Sequence, residues 1–353
     1  MQLLPMPVPL RLGVAMLVIG LTSTSRAQKL ATFDPPNARF THPQSVNAAG
    51  AITGYYVDNS SATHAFVRAH DGTITTFDAP GADATPFAQG TDAQSINSAG
   101  VVTGFFQDSS FITHAFLRTP DGAFTTFDAP GAVFGTFAYA INSAGAITGV
   151  YQSADFLSHG FLRSPVGNFT TFDAPGALYT SPYAINAAGA ITGWYVDTGF
   201  AYHGFVRTTD GTITGFDVPG ASQGLIQAFG INSAGDITGT FSNASFVYHA
   251  FLRAADGTIT TFDAPGAGTA AFHGTLAFSI NSAGVIAGTF IDANYVFHAF
   301  LHARGGAITT FQVPGSDTGF GGGTEPSGIN PGGDITGLYA NATGYHGFIR
   351  KHK

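Results

Sequence analysis

The triplet His-Ala/Gly-Phe begins at His64, His114, His159, His203, His249, His298 and His346, at intervals of 44 to 50 residues. Two other anchors keep step with it. An Asn precedes a small turn at Asn47, Asn97, Asn142, Asn186, Asn232, Asn281 and Asn330, and a Phe-Asp-x-Pro-Gly segment or close variant is marked by Pro36, Pro80, Pro130, Pro175, Pro219, Pro265 and Pro314. A chain with this period must be built from stacked copies of one supersecondary unit, because a single copy cannot bury its own apolar face.

Turn chemistry divides each copy into four short strands. In the second copy, strand A ends at Ser95-Ile96-Asn97, and Asn-Ser-Ala-Gly makes a type I turn into strand B at 101–106. Strand C runs from His114 to Arg118, Thr119-Pro120-Asp121-Gly122 makes a second turn, and strand D covers Ala123 to Asp128. Pro130-Gly131 then suits the centre of a type II turn.

Four antiparallel strands in each of seven copies predict an all-β fold, a seven-bladed β-propeller, with a β-solenoid as the structural alternative. Ala31 to Pro36 reads as a strand D, whereas the chain stops after a strand C at Arg350. The N-terminal strand is therefore expected to complete the last blade and close the ring. Strand A should lie innermost, since the residue two before each Asn is always small: Ser45, Ser95, Ala140, Ala184, Gly230, Ser279 or Gly328.

Composition narrows the class. Charged residues make up 10% of the 353 residues, with 47 Gly, 33 Phe, and Glu325 as the single Glu. Such a chain favours strands and turns over helices. The absence of Cys excludes disulfides and thiol chemistry, and a net charge of −8 argues against a nucleic-acid partner. Residues 12–21 form a ten-residue apolar run after Arg11, followed by Ser25-Arg26-Ala27. This pattern predicts a secretory signal peptide over 1–27 and a single exported domain over 28–353, with no membrane span after cleavage and a monomer as the default.

Units such as Ile-Asn-Ser-Ala-Gly…His-Ala-Phe-Leu-Arg (96–118) resemble the extracellular HAF-repeat family over essentially the whole mature chain. The resemblance implies an exported repeat protein and carries no established activity. Four positions depart from the pattern: Gln312 replaces the Asp, Val166 and Gly305 interrupt the Asp-Gly turn, and His302 replaces the Arg.

Each of the first six repeat His residues precedes an Asp, or Gln312, by fourteen residues. If the C–D turn is a three-residue hairpin loop, His114 faces Asp128, and His64, His159, His203 and His249 face Asp78, Asp173, Asp217 and Asp263. His298 would face Gln312, and His346 would face Asp34 through the closing strand. A pair present in every copy reads as a cross-strand pin and not as a ring of metal ligands. The strand-B glycines, Gly54 and its six counterparts, are expected to make room for neighbouring aromatics.

Function is sought where the copies differ. The A–B and C–D turns share one face. The B–C and D–A connections share the other and are expected to be long and varied. Phe111, Phe156, Phe200, Tyr202, Phe246, Tyr248, Tyr295 and Tyr345 fall in the B–C connections, with Phe87, Phe134 and Tyr179 in the D–A ones. Aromatic faces among small polar residues suit sugar rings or a surface protein. Five residues before each Asn stand His42, Asp92, Phe137, Ser181, Gln227, Leu276 and Glu325. Gln227 joins the candidate ligand contacts. His42, Asp92 and Glu325 would meet at the channel mouth as a metal or acid–base set, or else as solvated rim residues. Trp194 is expected to pack between blades. Catalytic and cofactor fingerprints are lacking, so no metal or cofactor is expected. The leading expectation is an exported, non-catalytic binding or scaffold module, and the alternative is a polysaccharide lyase or hydrolase using His42, Asp92 and Glu325.

Overall fold

The computed structural model describes residues 29–222 and 225–352; the expected signal segment lies outside them. The fold is all-β and propeller-like. Among the described residues no helix is long and apolar enough to cross a membrane.

β1 spans Leu30–Phe33. Six sets of four strands follow, each pairing antiparallel in chain order. They are β2 (Ala38–Val46), β3 (Ile52–Asp58), β4 (Thr63–Arg68) and β5 (Ile74–Phe77); β6 (Thr91–Ile96), β7 (Val102–Gln107), β8 (Thr113–Arg118) and β9 (Phe124–Phe127); and β10 (Gly135–Ile141), β11 (Ile147–Gln152), β12 (Ser158–Arg163) and β13 (Phe169–Phe172). The next three are β14 (Ala177–Ile185), β15 (Ile191–Asp197), β16 (Tyr202–Arg207) and β17 (Ile213–Phe216); β18 (Ile226–Ile231), β19 (Ile237–Ser242), β20 (Tyr248–Arg253) and β21 (Ile259–Phe262); and β22 (Gly274–Ile280), β23 (Ile286–Ile291), β24 (Phe297–His302) and β25 (Ile308–Phe311). The chain ends with β26 (Gly323–Ile329), β27 (Ile335–Asn341) and β28 (Gly344–Arg350). β1 pairs antiparallel with β28, setting Thr32 opposite Phe348.

The triplet Phe is fully buried in every copy, from Phe66 to Phe348. It packs between one set and the next: Phe116 lies with Ala65, Ala93, Ile96 and Val102. Removing such a ring from water contributes about 2–3 kcal/mol. The Arg that ends strand C lays its guanidinium over the strand-D Phe of the preceding set, as Arg118 does over Phe77 at 4.5 Å. Where His302 replaces Arg, its ring stacks on Phe262 at 4.2 Å and takes the same place.

The repeated Asn makes a connection that the sequence did not disclose. Asn97 Oδ1 accepts hydrogen bonds from the Ala99 and Val101 N–H groups, which closes the A–B turn. Its Nδ2 donates to the Asn142 carbonyl, in the next set. The relay runs from Asn281 to Asn330, Asn47, Asn97, Asn142, Asn186 and Asn232. Asn232 instead donates to Asp236 Oδ2 at 3.0 Å, whereas Asn330, which also has an Asp four residues on, keeps its 2.9 Å bond to the Asn47 carbonyl with Asp334 Oδ2 at 3.5 Å. All seven Asn are buried.

Strand A carries a bulge in every set, centred on Gln44, Gln94, Tyr139, Tyr183, Phe229, Phe278 and Ser327. A bulge turns two successive side chains to one side. The bulged residue and the small residue after it therefore both face the axis where the A strands converge. The bulge also corrects the reading of the strand-B glycines. A Cβ at Gly104 would clash first with the Asp92 carbonyl oxygen of strand A, and the other six meet the equivalent carbonyl in the same way; aromatic rings come second, as at Gly239.

Asn97→Ala should lower unfolding stability by about 2–4 kcal/mol, because it takes the acceptor from the Ala99 and Val101 N–H groups and removes the bond to the next set. Asn97→Asp keeps the turn acceptor, loses the Nδ2 donor and should cost less. Urea denaturation of both variants checks this; an Asn97→Asp variant as stable as the unaltered protein would contradict the relay.

Candidate functional site

The repeat histidines are fully engaged by the frame. His64, His114, His159, His203 and His249 place Nδ1 between 2.6 and 3.0 Å from the expected Asp, His298 lies 2.9 Å from Gln312, and His346 lies 2.8 Å from Asp34. Nε2 turns to the first residue of the B–C connection, for example Ser153 at 2.9 Å, Asn243 at 3.0 Å and Asp292 at 3.1 Å. Each imidazole thus ties strand D to the neighbouring turn.

The B–C connections differ from expectation. Apart from the last, they are tight hairpin turns: Asp108 N–H donates to the Ile112 carbonyl and Phe111 N–H to the Asp108 carbonyl. Asp108 Oδ1 also accepts from Ser110 and Ile112 N–H, and Asp58, Asp197 and Asp292 repeat the device. The left-handed position of this turn belongs to glycine in the A–B and C–D turns. Here it holds Ser61, Phe111, Phe156, Phe200, Phe246 and Tyr295, with φ from 58° to 70°. A bulky residue in that conformation costs about 1 kcal/mol. Phe111, Phe156, Phe200 and Phe246 project into solvent from it. Tyr295 is half-buried and stacks on Phe320 at 4.6 Å, while Phe156 stacks on Phe134 at 4.2 Å.

The other named candidates lie on strands. Tyr248 is half-buried at the start of β20, Tyr345 packs on Phe40 at 5.1 Å, and Gln227 is half-buried opposite Thr240. Phe200 and Tyr202 are brought together. They line a cavity of about 410 Å³ whose walls also include Phe137, Tyr139, Tyr179 and Trp194, with Gln152, Ser158 and Ser181 as polar groups. Trp194, expected as packing between blades, forms part of this wall and lies 5.5 Å from Tyr202.

A second, axial cavity of about 520 Å³ is lined by residues of all seven A strands. Its two sides differ. Tyr139, Tyr183, Phe229 and Phe278 form an aromatic arc, with successive ring centroids 5.1, 5.1 and 5.8 Å apart. Opposite stand His42, Gln44, Gln94, Glu325 and Ser327. A comparison of the residue three before each Asn across copies would have exposed this division; the residue five before shows only its rim.

His42 and Glu325 line this cavity and Asp92 does not, and burial governs the charges of all three. Asp92 Oδ1 is shut off from solvent without a hydrogen-bond partner, and burial pushes the carboxyl up to about 7, with a hydrogen bond from Gln94 opposing. Burial likewise raises Glu325 to about 7 and lowers His42 to about 4. The neutral His42 lies with Nδ1 3.0 Å from the Tyr55 hydroxyl. Tyr55, Tyr139 and Tyr183 are held protonated by burial first and by the Asp92 charge as well. Among the described residues no group of three His, Asp or Glu side chains could hold a metal ion.

Between about pH 4 and pH 7 the folded protein retains carboxyl protons that an unfolded chain has released, so stability falls as pH rises through this window. His42 acts oppositely, its contribution being lost as pH falls towards 4. Two carboxyls outweigh one imidazole. Relative to the unaltered protein, Asp92→Asn should therefore gain about 2–4 kcal/mol on going from about pH 5 to about pH 8. Urea denaturation at the two pH values checks this; a constant difference would contradict it.

No family model matches the chain, and no curated protein matches it in sequence. Among solved structures it is similar to virginiamycin B lyase from Staphylococcus aureus, at 16% identity and a TM-score of 0.56, over 92% of this chain and 99% of that one. A catalytically inactive variant of that lyase with quinupristin gives 16% and 0.55 over the same shares. The β-propeller domain of the trilobed protease from Pyrococcus furiosus gives 9% and 0.59, over 89% of this chain and 96% of that one. At these identities the likeness establishes the fold: the chain is an all-β propeller.

Proposed function

We propose that this protein is an exported, non-catalytic glycan-binding module, built as a closed seven-bladed propeller of four-stranded blades and belonging with the HAF-repeat proteins it resembles. Closure is supported by the way β1 substitutes for a strand D. Phe33 meets Phe66 at 6.0 Å beneath Arg68, as Phe77 meets Phe116 at 6.3 Å beneath Arg118. The Asn relay passes from Asn330 back to Asn47 and supports the same reading. Outermost strands of four residues are short edges, which favours a monomer.

The observation that carries the glycan reading is the cavity of six aromatic side chains on the B–C/D–A face, with amide and hydroxyl groups set among them. Ring faces stack on the CH surface of a sugar while Gln152, Ser158 and Ser181 bond its hydroxyls. Strained, exposed Phe side chains at the neighbouring turn tips extend the same face, and outward aromatics held at a conformational cost suit a surface kept for contact.

A lyase or hydrolase working from the axial cavity is the second reading, favoured by Glu325, which burial raises to about 7, on the same cavity wall as the neutral His42. Polysaccharide turnover lost in Glu325→Gln would establish it in place of simple binding.

Trp194 is the only tryptophan, so its emission reports directly on the aromatic cavity. Oligosaccharides selected on a glycan array should shift that emission saturably, and Phe200→Ala should weaken binding roughly tenfold, about 1.4 kcal/mol. Capture of a surface protein with no glycan response, or unchanged affinity in Phe200→Ala, would overturn the proposal.

A further inference from the structure

The axial cavity presents a different chemistry from the aromatic cavity on the loop face, although Tyr139 borders both. No Lys or Arg lines it. Glu325 and His42 open onto one side, and the faces and edges of Tyr139, Tyr183, Phe229 and Phe278 make the other. Asp92, two residues before Gln94 on β6, stands near enough to Tyr55, Tyr139 and Tyr183 for its charge to act on all three hydroxyls, and its Oδ1 has no partner. The protein thus encloses two carboxyls without supplying a cation for either.

We infer that the axial cavity binds a small organic ammonium cation, held between the Glu325 carboxylate and the Tyr139–Tyr183–Phe229–Phe278 arc, with the Asp92 carboxyl, outside the lining, adding its charge. Aromatic faces carry negative quadrupole potential and attract a desolvated cation, most strongly when the ion is weakly hydrated. Alkylated ammonium groups meet that condition. A metal ion does not fit the donor set, since no three His, Asp or Glu side chains among the described residues converge. About 520 Å³ lies within the range of small-ligand sites.

Occupancy is coupled to protons. A bound cation stabilises the ionised carboxyls, so binding expels the protons that burial retains, and affinity should rise as pH passes through about 7. The other titratable groups facing the site do not oppose this. His42 stays neutral because burial lowers its pKa to about 4, and Tyr55, Tyr139 and Tyr183 stay protonated.

The test is calorimetric titration of the intact protein with choline and with its uncharged isostere 3,3-dimethylbutan-1-ol. Choline should bind at about pH 8.5 and roughly tenfold more weakly at about pH 6, and the isostere should bind far less well. The Asp92→Asn/Glu325→Gln double variant should lose at least about tenfold in choline affinity while its Trp194 response to glycans is kept. That retained response separates this inference from the glycan reading and shows that the variant is folded. Tyr183→Leu supplies an independent variant with the carboxyls intact and should also weaken choline. Absence of choline binding, equal binding of the isostere, affinity independent of pH, or full affinity in the double variant would overturn the inference.

Discussion

The relay of buried asparagines fixes the rest of the architecture. At the axis the residue two before each Asn is small, which lets neighbouring A strands come close, as Gly230 does to Ser279. Asn47 uses Oδ1 for two N–H groups of its own turn and sends Nδ2 to the Asn97 carbonyl, which also accepts from its turn glycine, and Asn97, Asn142, Asn186 and Asn281 do the same. The first strand of one set is thereby fixed to the first strand of the next by directional bonds in a buried place, where leaving a group unmade is expensive. The serines two residues before Asn47, Asn97 and Asn281 add weaker bridges, with Oγ 3.4 Å from the next set's Ile N–H. The relay breaks at Asn232, whose Nδ2 turns to Asp236 of its own turn.

Once the A strands are pinned, their bulges determine what the axis contains. The same backbone device presents Gln44 in one set and Tyr183 in another, so the frame repeats while the chemistry does not. Repetition also explains why the polar side is electrostatically exposed to burial. The A strands bury both Asp92 and Glu325, and no Lys or Arg lines the axial cavity. The histidines that recur in every copy lie elsewhere and are consumed in joining strands to turns.

The parts legible in the sequence were those written as spacing. The interval of fourteen residues from His114 to Asp128 encodes a hairpin register, and the contact is present at 3.0 Å. Ala31 to Asp34 read as a displaced strand D, and β1 pairs with β28. Other features depend on what approaches from a different set. Nothing adjacent to Asn97 reveals Asn142, and nothing in Ala93-Gln94-Ser95 marks a bulge, because several residue types tolerate one. The B–C turns were misread as long loops because Phe111 and its counterparts occupy a left-handed position where glycine would have signalled the turn. The strand-B equivalents of Trp194 include Tyr55, Phe105 and Thr240, which share neither size nor polarity, so the sequence pattern did not mark it as part of a cavity wall.

A chain without cysteine permits a direct trial of the pairing between the first strand and the last. Lys29 and Lys351 flank the pairing of β1 with β28, joined by a 2.9 Å bond from the Lys351 N–H to the Lys29 carbonyl. Directly paired strand positions lie within disulfide range. The account predicts that Lys29→Cys/Lys351→Cys oxidises within one molecule to a single disulfide and that the oxidised form resists thermal unfolding better than the reduced form. Free thiols after oxidation, or crosslinks only between molecules, would contradict it.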